Sequence, residues 1–202
     1  TRPVSSAASD VYKRQMNVLF EQVGTNERDN QLSDSDRKQS QRVMRVNHMG
    51  EICAQGLYRG QALTSRDGAL EKVIINMCDE EKEHLEICNT RLDELSGHTS
   101  YLNPLWYLTS FALGAYVGTL DKDKALGFIY ETESQVEKHL DEYTQKLPNS
   151  DTKSKEILNK IKLDETKHKN TAKDNGSSTL NNETKKLMST TANIMKKLSF
   201  YI

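Results

Sequence analysis

A pattern of glutamates and histidines occurs twice in this chain. A lone glutamate is followed about thirty residues later by a Glu-x-x-His motif. The six residues, in chain order, are Glu51, Glu81, His84, Glu133, Glu165 and His168. Four carboxylates and two imidazoles in this order are typical of a carboxylate-bridged di-metal centre inside a four-helix bundle. The pattern therefore predicts an all-α bundle that binds two metal ions.

Both halves of the pattern have a turn sequence at their midpoint. Residues 65–68 (Ser-Arg-Asp-Gly) and 148–151 (Pro-Asn-Ser-Asp) contain residue types that end helices and cap new ones. Each predicted ligand is then about fifteen residues, roughly 22 Å, from its turn, so the ligands of an antiparallel helix pair lie at one height. A single Glu-x-x-His could arise by chance on a solvated helix, but two copies with this spacing favour a metal site.

Composition limits the other classes of function. The chain has 202 residues, of which 35% are hydrophobic and 28% charged, as expected for one mostly helical domain. A net charge of -1 gives no electrostatic basis for binding nucleic acid, so no nucleic-acid partner is expected. The three cysteines are odd in number and lack a Cys-x-x-Cys spacing, which predicts reduced thiols.

The chain divides into three segments. Residues 1–15 resemble the translation of a sequencing-library adapter and are interpreted as a non-native leader. Residues 16–34 form a polar segment, and residues 35–202 are predicted to form the helical domain. Apolar periodicity and cap residues predict six helices in that domain, at 35–64, 68–95, 104–120, 122–147, 151–173 and 183–200.

The third predicted helix differs from the others because residues 105–120 contain no charged side chain. Asn103 is expected to cap it, with Pro104 in the first helical position. Its sixteen residues are fewer than the roughly twenty that span a bilayer. Two interpretations remain open: a buried core helix, or a surface that enters a membrane or admits a lipid tail. Four lysines near the C-terminus could add attraction to anionic lipid: Lys185, Lys186, Lys196 and Lys197.

Several separated motifs carry a resemblance to a known family. Residues 45–54 (RVNHMGEICA), 102–107 (LNPLWY) and 131–140 (ETESQVEKHL), with the two Glu-x-x-His motifs, are similar to the bacterial form of the di-iron demethoxyubiquinol hydroxylases of ubiquinone biosynthesis. The resemblance extends from about Arg42 to the C-terminus and implies a ferritin-like four-helix bundle with an extra apolar helix and a C-terminal helix. The chain departs from several relatives in having Leu140, where they have Tyr after the histidine.

The resemblance implies a monooxygenase that uses two iron ions and O2 to hydroxylate the ring of a polyprenylated methoxy-benzoquinol. Glu51 and Glu133 would be terminal ligands, Glu81 and Glu165 would bridge both ions, and His84 and His168 would each bind one ion. Glu137 is the second choice for the position given to Glu133. Manganese accepts the same ligand types, so the sequence does not distinguish it from iron.

Further residues are expected around the metal ions. His48 and His139 are predicted to line the site, as candidate catalytic residues that do not bind metal. Glu80 and Asp164, which each precede a predicted bridging glutamate, are placed to fix a histidine from the opposite helix. The alternative for both acids is an ordinary solvated carboxylate.

The resemblance also implies a location and partners. It predicts peripheral contact with membrane lipid at the cytoplasmic face of a bacterial cell membrane, and either a homo-oligomer or membership of a ubiquinone-biosynthesis complex. Two other functions remain open. A ferritin-like or rubrerythrin-like protein that oxidises iron or reduces peroxide would share the six ligands. A non-enzymatic helical lipid-binding protein would explain the apolar helix but not the paired motifs.

Overall fold

The computed structural model describes residues 32–202, which contain six α-helices. In chain order these are α1 (Asp34–Thr64), α2 (Gly68–Glu94), α3 (Asn103–Gly118), α4 (Lys122–Lys146), α5 (Thr152–Asp174) and α6 (Asn182–Tyr201). For these residues the prediction of an all-α, ferritin-like fold is confirmed. The predicted leader at 1–15 and the polar segment at 16–34, apart from its last three residues, lie outside the described residues.

Helices α1, α2, α4 and α5 form the bundle. Short turns join α1 to α2 and α4 to α5, at the two midpoints that the sequence predicted. At the first turn Asp67 caps α2 by accepting hydrogen bonds from the backbone N–H groups of Ala69 and Leu70. At the second turn Asp151 caps α5 by accepting from the N–H of Ser154. Both hairpins also pack against each other, α1 on α4 and α2 on α5.

The bundle core has an apolar cluster at each end. One cluster is built around Val43, Leu92 and Leu158, and the other around Leu70, Ile74 and Leu126. All six residues of the repeated pattern fall between these clusters along their helices. The apolar ends therefore enclose a layer of charged side chains in the middle of the bundle.

A long crossover carries the chain from α2 to α4 and includes α3. Its first turn is made by Ser96, which takes a left-handed conformation with φ 55°, while the N–H of Gly97 bonds to the Leu92 carbonyl. The prediction that Asn103 caps α3 is wrong. Helix α3 begins at Asn103 without a side-chain cap, because the Asn103 side chain turns toward His48 instead, with Nδ2 at 3.3 Å from Nδ1.

Helix α3 lies on the outside of α1 rather than in the core. The two helices pack closely because each has glycines at the contact. A Cβ at Gly60 of α1 would lie 2.2 Å from the carbonyl oxygen of Phe111, and a Cβ at Gly114 of α3 would lie 2.1 Å from the carbonyl oxygen of Leu57. The opposite face of α3 is open, with Leu108 63% exposed. The buried-core interpretation is therefore wrong, because one face of α3 packs on α1 and the opposite face is exposed.

No helix within residues 32–202 combines the length and the apolar character that crossing a bilayer requires. The C-terminal helix α6 packs on α1 and α4, and its Ser199 hydroxyl accepts a hydrogen bond from Trp106 Nε1 at 3.0 Å. Like α3, α6 leaves apolar side chains exposed on its outer face: Leu187, Ile194, Leu198 and Tyr201.

Candidate di-metal centre

The structure brings the six residues of the repeated pattern into one buried cluster. They form two groups of four residues. Within each group, the ligand atoms all lie within 4.8 Å of one another. The first group is Glu51, Glu81, His84 and Glu165, and the second is Glu81, Glu133, Glu165 and His168. The two groups share Glu81 and Glu165, the two acids of the Glu-x-x-His motifs. A metal ion in each group would therefore have two carboxylates in common with its neighbour.

Both histidines direct the same ring atom into the cluster. His84 Nδ1 lies 3.3 Å from Glu81 Oε2 and 3.5 Å from Glu165 Oε1. His168 Nδ1 lies 3.2 Å from Glu81 Oε1 and 3.3 Å from Glu165 Oε2. The ring centroids are 6.4 Å apart, with the two shared carboxylates between them. Each imidazole thus serves one of the two positions.

The outer nitrogens of these histidines contact acids from the opposite helix. His168 Nε2 is 2.9 Å from Glu80 Oε2, and His84 Nε2 is 3.4 Å from Asp164 Oδ2. The crossed arrangement agrees with the sequence prediction for Glu80 and Asp164. A carboxylate on the outer nitrogen keeps the proton there and leaves Nδ1 free to bind a metal.

The electrostatics of the cluster favour added positive charge. Burial and the nearby Glu81 carboxylate raise the pKa of Glu51 well above its ordinary value, and burial and Glu165 do the same for Glu133. Burial by itself lowers the pKa of His168, but the neighbouring carboxylates of Glu165 and Glu80 raise it to about 12. Two divalent ions bound here would therefore compete with protons for these side chains.

The donor set fits a pair of metal ions. Three atoms that face the middle of the cluster have no hydrogen-bond partner among the described residues: Glu81 Oε1, Glu165 Oε2 and His168 Nδ1. These atoms contact one another at 3.2 and 3.3 Å without forming a hydrogen bond, and buried polar atoms left in this way are costly unless a cation or solvent satisfies them. Carboxylate and imidazole ligands suit iron and manganese, and one imidazole for each position leaves room for further ligands.

The sequence interpretation missed one residue at the site, Tyr58. It is fully buried in α1, and its hydroxyl donates a hydrogen bond to Glu133 Oε1 on α4. Tyr58 lies seven residues after Glu51, so both side chains project from the same face of α1 two turns apart. That spacing was visible in the sequence, but a tyrosine at this position also fits an ordinary core residue.

The other predicted site residues have different surroundings. His48 is buried one turn before Glu51, and burial lowers its pKa to about 4, so the ring is neutral. His139 is half-buried and packs on Tyr143 with ring centroids 4.2 Å apart. Within residues 32–202, no hydrogen bond or ring contact joins either histidine to the six clustered residues, so their roles remain predictions. Glu137 lies outside both groups and pairs with Lys169.

A four-helix bundle with this cluster in its middle layer defines the ferritin-like class of di-metal carboxylate proteins. Comparison with known sequences specifies the family within that class. Residues 38–199 match the model of the family described as "Ubiquinone biosynthesis protein COQ7". The match covers most of the chain, and the protein belongs to this family.

Curated relatives agree with this assignment. The chain is 42% identical over 172 residues to the 3-demethoxyubiquinol 3-hydroxylase of Psychrobacter sp. (strain PRwf-1), covering 85% of this chain and 81% of the relative. The protein of that name from Coxiella burnetii (strain Dugway 5J108-111) is 43% identical, covering 85% of this chain and 80% of the relative. The one from Francisella philomiragia is 40% identical, covering 93% of this chain and 89% of the relative. These relatives support the hydroxylase interpretation over the iron-oxidising and lipid-binding alternatives.

Proposed function

We propose that this protein is a 3-demethoxyubiquinol 3-hydroxylase that uses two iron ions and O2. The observation that carries the proposal is the pair of four-residue groups sharing Glu81 and Glu165, in a chain whose relatives bear this name. Glu51 and Glu133 would each hold one ion, and Glu81 and Glu165 would be shared by both. His84 and His168 supply one nitrogen each.

The reaction replaces a ring C–H bond of a polyprenylated methoxy-benzoquinol with C–OH. One oxygen atom of O2 enters the ring and the other leaves as water, which requires two electrons and two protons. Bound iron would supply the redox chemistry that activates O2. The quinol is itself a two-electron reductant, so it could provide these electrons.

The protein's own residues hold and enclose the site. Glu80 and Asp164 orient the two histidines from opposite helices through contacts of 2.9 and 3.4 Å. The apolar clusters above and below the charged layer exclude bulk water from the reaction. His48 and His139 line the approach to the metal ions without binding them.

Contact with a membrane is also part of the proposal, because a polyprenyl substrate resides in lipid. The outer face of α3 supports it, with Leu105, Leu108 and Tyr116 each at least half exposed. The site of action is the cytoplasmic face of a bacterial membrane, where the protein works as a homo-oligomer or in a ubiquinone-biosynthesis complex.

Membrane contact is tested by vesicle flotation of a Leu108→Lys variant. Leu163 on α5 is 66% exposed against 63% for Leu108, so Leu163→Lys is a matched control. We expect Leu108→Lys to weaken binding to vesicles while Leu163→Lys leaves it unchanged. Equal behaviour of the two variants would count against α3 as the contact surface.

The activity is tested with the full chain loaded anaerobically with Fe(II). A short-tailed demethoxyubiquinol and isotopically labelled O2 are then added, and products are followed by mass spectrometry. The expected product is heavier by one labelled oxygen atom. Iron oxidation without that product would instead support the iron-oxidising alternative, and absence of bound metal would remove the basis of the proposal.

A further inference from the structure

The two halves of the cluster differ in one contact. Glu133 Oε1 accepts a hydrogen bond from the Tyr58 hydroxyl. Among residues 32–202, no hydroxyl, amide or backbone N–H donates to Glu51, whose closest ion-pair contact is His84 Nδ1 at 3.8 Å. Each terminal glutamate also hydrogen-bonds to a shared one, Glu51 to Glu81 and Glu133 to Glu165. The difference between them is therefore the added hydroxyl donor at Glu133, although their positions in the sequence are equivalent.

Tyr58 is held firmly and remains a donor. Its ring belongs to an apolar cluster with Ile74, Leu126 and Ile129, and no part of the side chain is exposed. A phenolic hydroxyl is a hydrogen-bond donor, and this one donates to Glu133 Oε1. Tyr58 thus links α1 to α4 beside the metal-binding layer.

A carboxylate with one oxygen tied to a fixed donor offers its other oxygen to a metal. We propose that Tyr58 is a positioning residue that restricts Glu133 to one metal-binding oxygen. The Glu133–His168 position is then the rigid one, and the Glu51–His84 position is the one whose carboxylate can change its binding mode. The inference rests on the proposed function only in requiring that two metal ions bind.

The two terminal glutamates also differ in the residues that lie beside them. Glu51 follows His48 by one helical turn, and His48 contacts Asn103 at the start of the apolar helix α3. Glu133 lies on α4 and is tied by Tyr58 on the inner face of the bundle. The Glu51 position is therefore linked to α3 through His48 and Asn103, whereas the Glu133 position is linked to α1 through Tyr58.

The test is a metal titration of Tyr58→Phe in two backgrounds that isolate the positions. His84→Ala leaves the Glu133–His168 position with its imidazole, and His168→Ala leaves the Glu51–His84 position with its own. Co(II) binding is measured against a competing chelator. We expect Tyr58→Phe to weaken binding about 10- to 100-fold in the His84→Ala background and to leave binding unchanged in the His168→Ala background. Tyr143→Phe, another buried tyrosine, is the control and should change neither.

A second pair of variants tests rigidity without altering Tyr58. Shortening each terminal carboxylate by one methylene, as Glu133→Asp or Glu51→Asp, should weaken Co(II) binding more at the tied Glu133 than at the adaptable Glu51. If Tyr58→Phe weakened Co(II) binding equally in the His84→Ala and His168→Ala backgrounds, or in neither, the role of Tyr58 would be overturned. Wild-type protein that binds no metal would overturn the proposed function as well, so the two failures are distinguishable.

Discussion

Replacing Gly60 with alanine should destabilise the protein by forcing α3 away from α1. A Cβ at Gly60 would lie 2.2 Å from the Phe111 carbonyl oxygen and 2.6 Å from the Ala115 backbone nitrogen. Because both are backbone atoms, no side chain can rotate aside. Ordinary contacts begin at 3.4 Å, so α3 must retreat by about 1.2 Å, the difference between 3.4 and 2.2 Å. A gap of that size forfeits at least a quarter to a half of the dispersion energy at the contact.

Gly50 in the same helix provides a matched control, since nothing lies within 4 Å of a Cβ placed there. Overpacking at Gly60 costs about 3 kcal/mol, and the higher helix propensity of alanine returns about 1 kcal/mol. The expected net loss is about 2 kcal/mol for Gly60→Ala, against a gain of about 1 kcal/mol for Gly50→Ala. Urea unfolding followed by circular dichroism measures both. Gly60→Ala as stable as Gly50→Ala would refute the close packing of α1 and α3.

Three other predictions concern single residues. Asp151→Ala should cost about 2.5–4 kcal/mol in urea unfolding: about 1.5–3 for the carboxylate 2.8 Å from the Nη2 of buried Arg91, and about 1 for the cap of α5. Arg91 keeps Glu94 3.0 Å from its Nη1, and a loss below about 1 kcal/mol would contradict the prediction. Ser96→Gly should raise the unfolding free energy by about 1 kcal/mol, since Ser96 has a φ of 55°; a lower melting temperature would argue against it. Glu80→Ala should weaken metal binding about 10- to 100-fold, because His168 loses its contact with that carboxylate. Competition with a chelator measures the metal affinity, and an unchanged affinity would disprove the prediction.

The sequence was sufficient to predict the bundle and the six clustered residues because both depend on local rules. Asp67 and Asp151 are at the turns between paired helices, and a helix has a fixed rise per residue. Equal distances from each turn therefore place paired glutamates at one height. The contacts of Glu80 and Asp164 follow from the same regularity, since each adjoins a shared glutamate.

What the sequence did not predict depends on packing between distant segments. Asn103 looked like a helix cap, yet its side chain contacts His48, which is 55 positions away. A helix that is apolar all round does not indicate which face is buried, so the exposed surface of α3 was only one of two alternatives. The four-residue spacing of Gly56 and Gly60, repeated in Gly114 and Gly118, was the available sign of close helix contact.

If two metal positions share Glu81 and Glu165, single variants of the ligands should differ in the number of iron ions that they bind. Wild-type protein, Glu51→Ala and Glu81→Ala are loaded anaerobically with Fe(II), desalted and analysed for iron per chain. Two irons are predicted for the wild type, one for Glu51→Ala, and none retained by Glu81→Ala, since that change removes a ligand from both positions. Equal iron content in the two variants would contradict the shared arrangement.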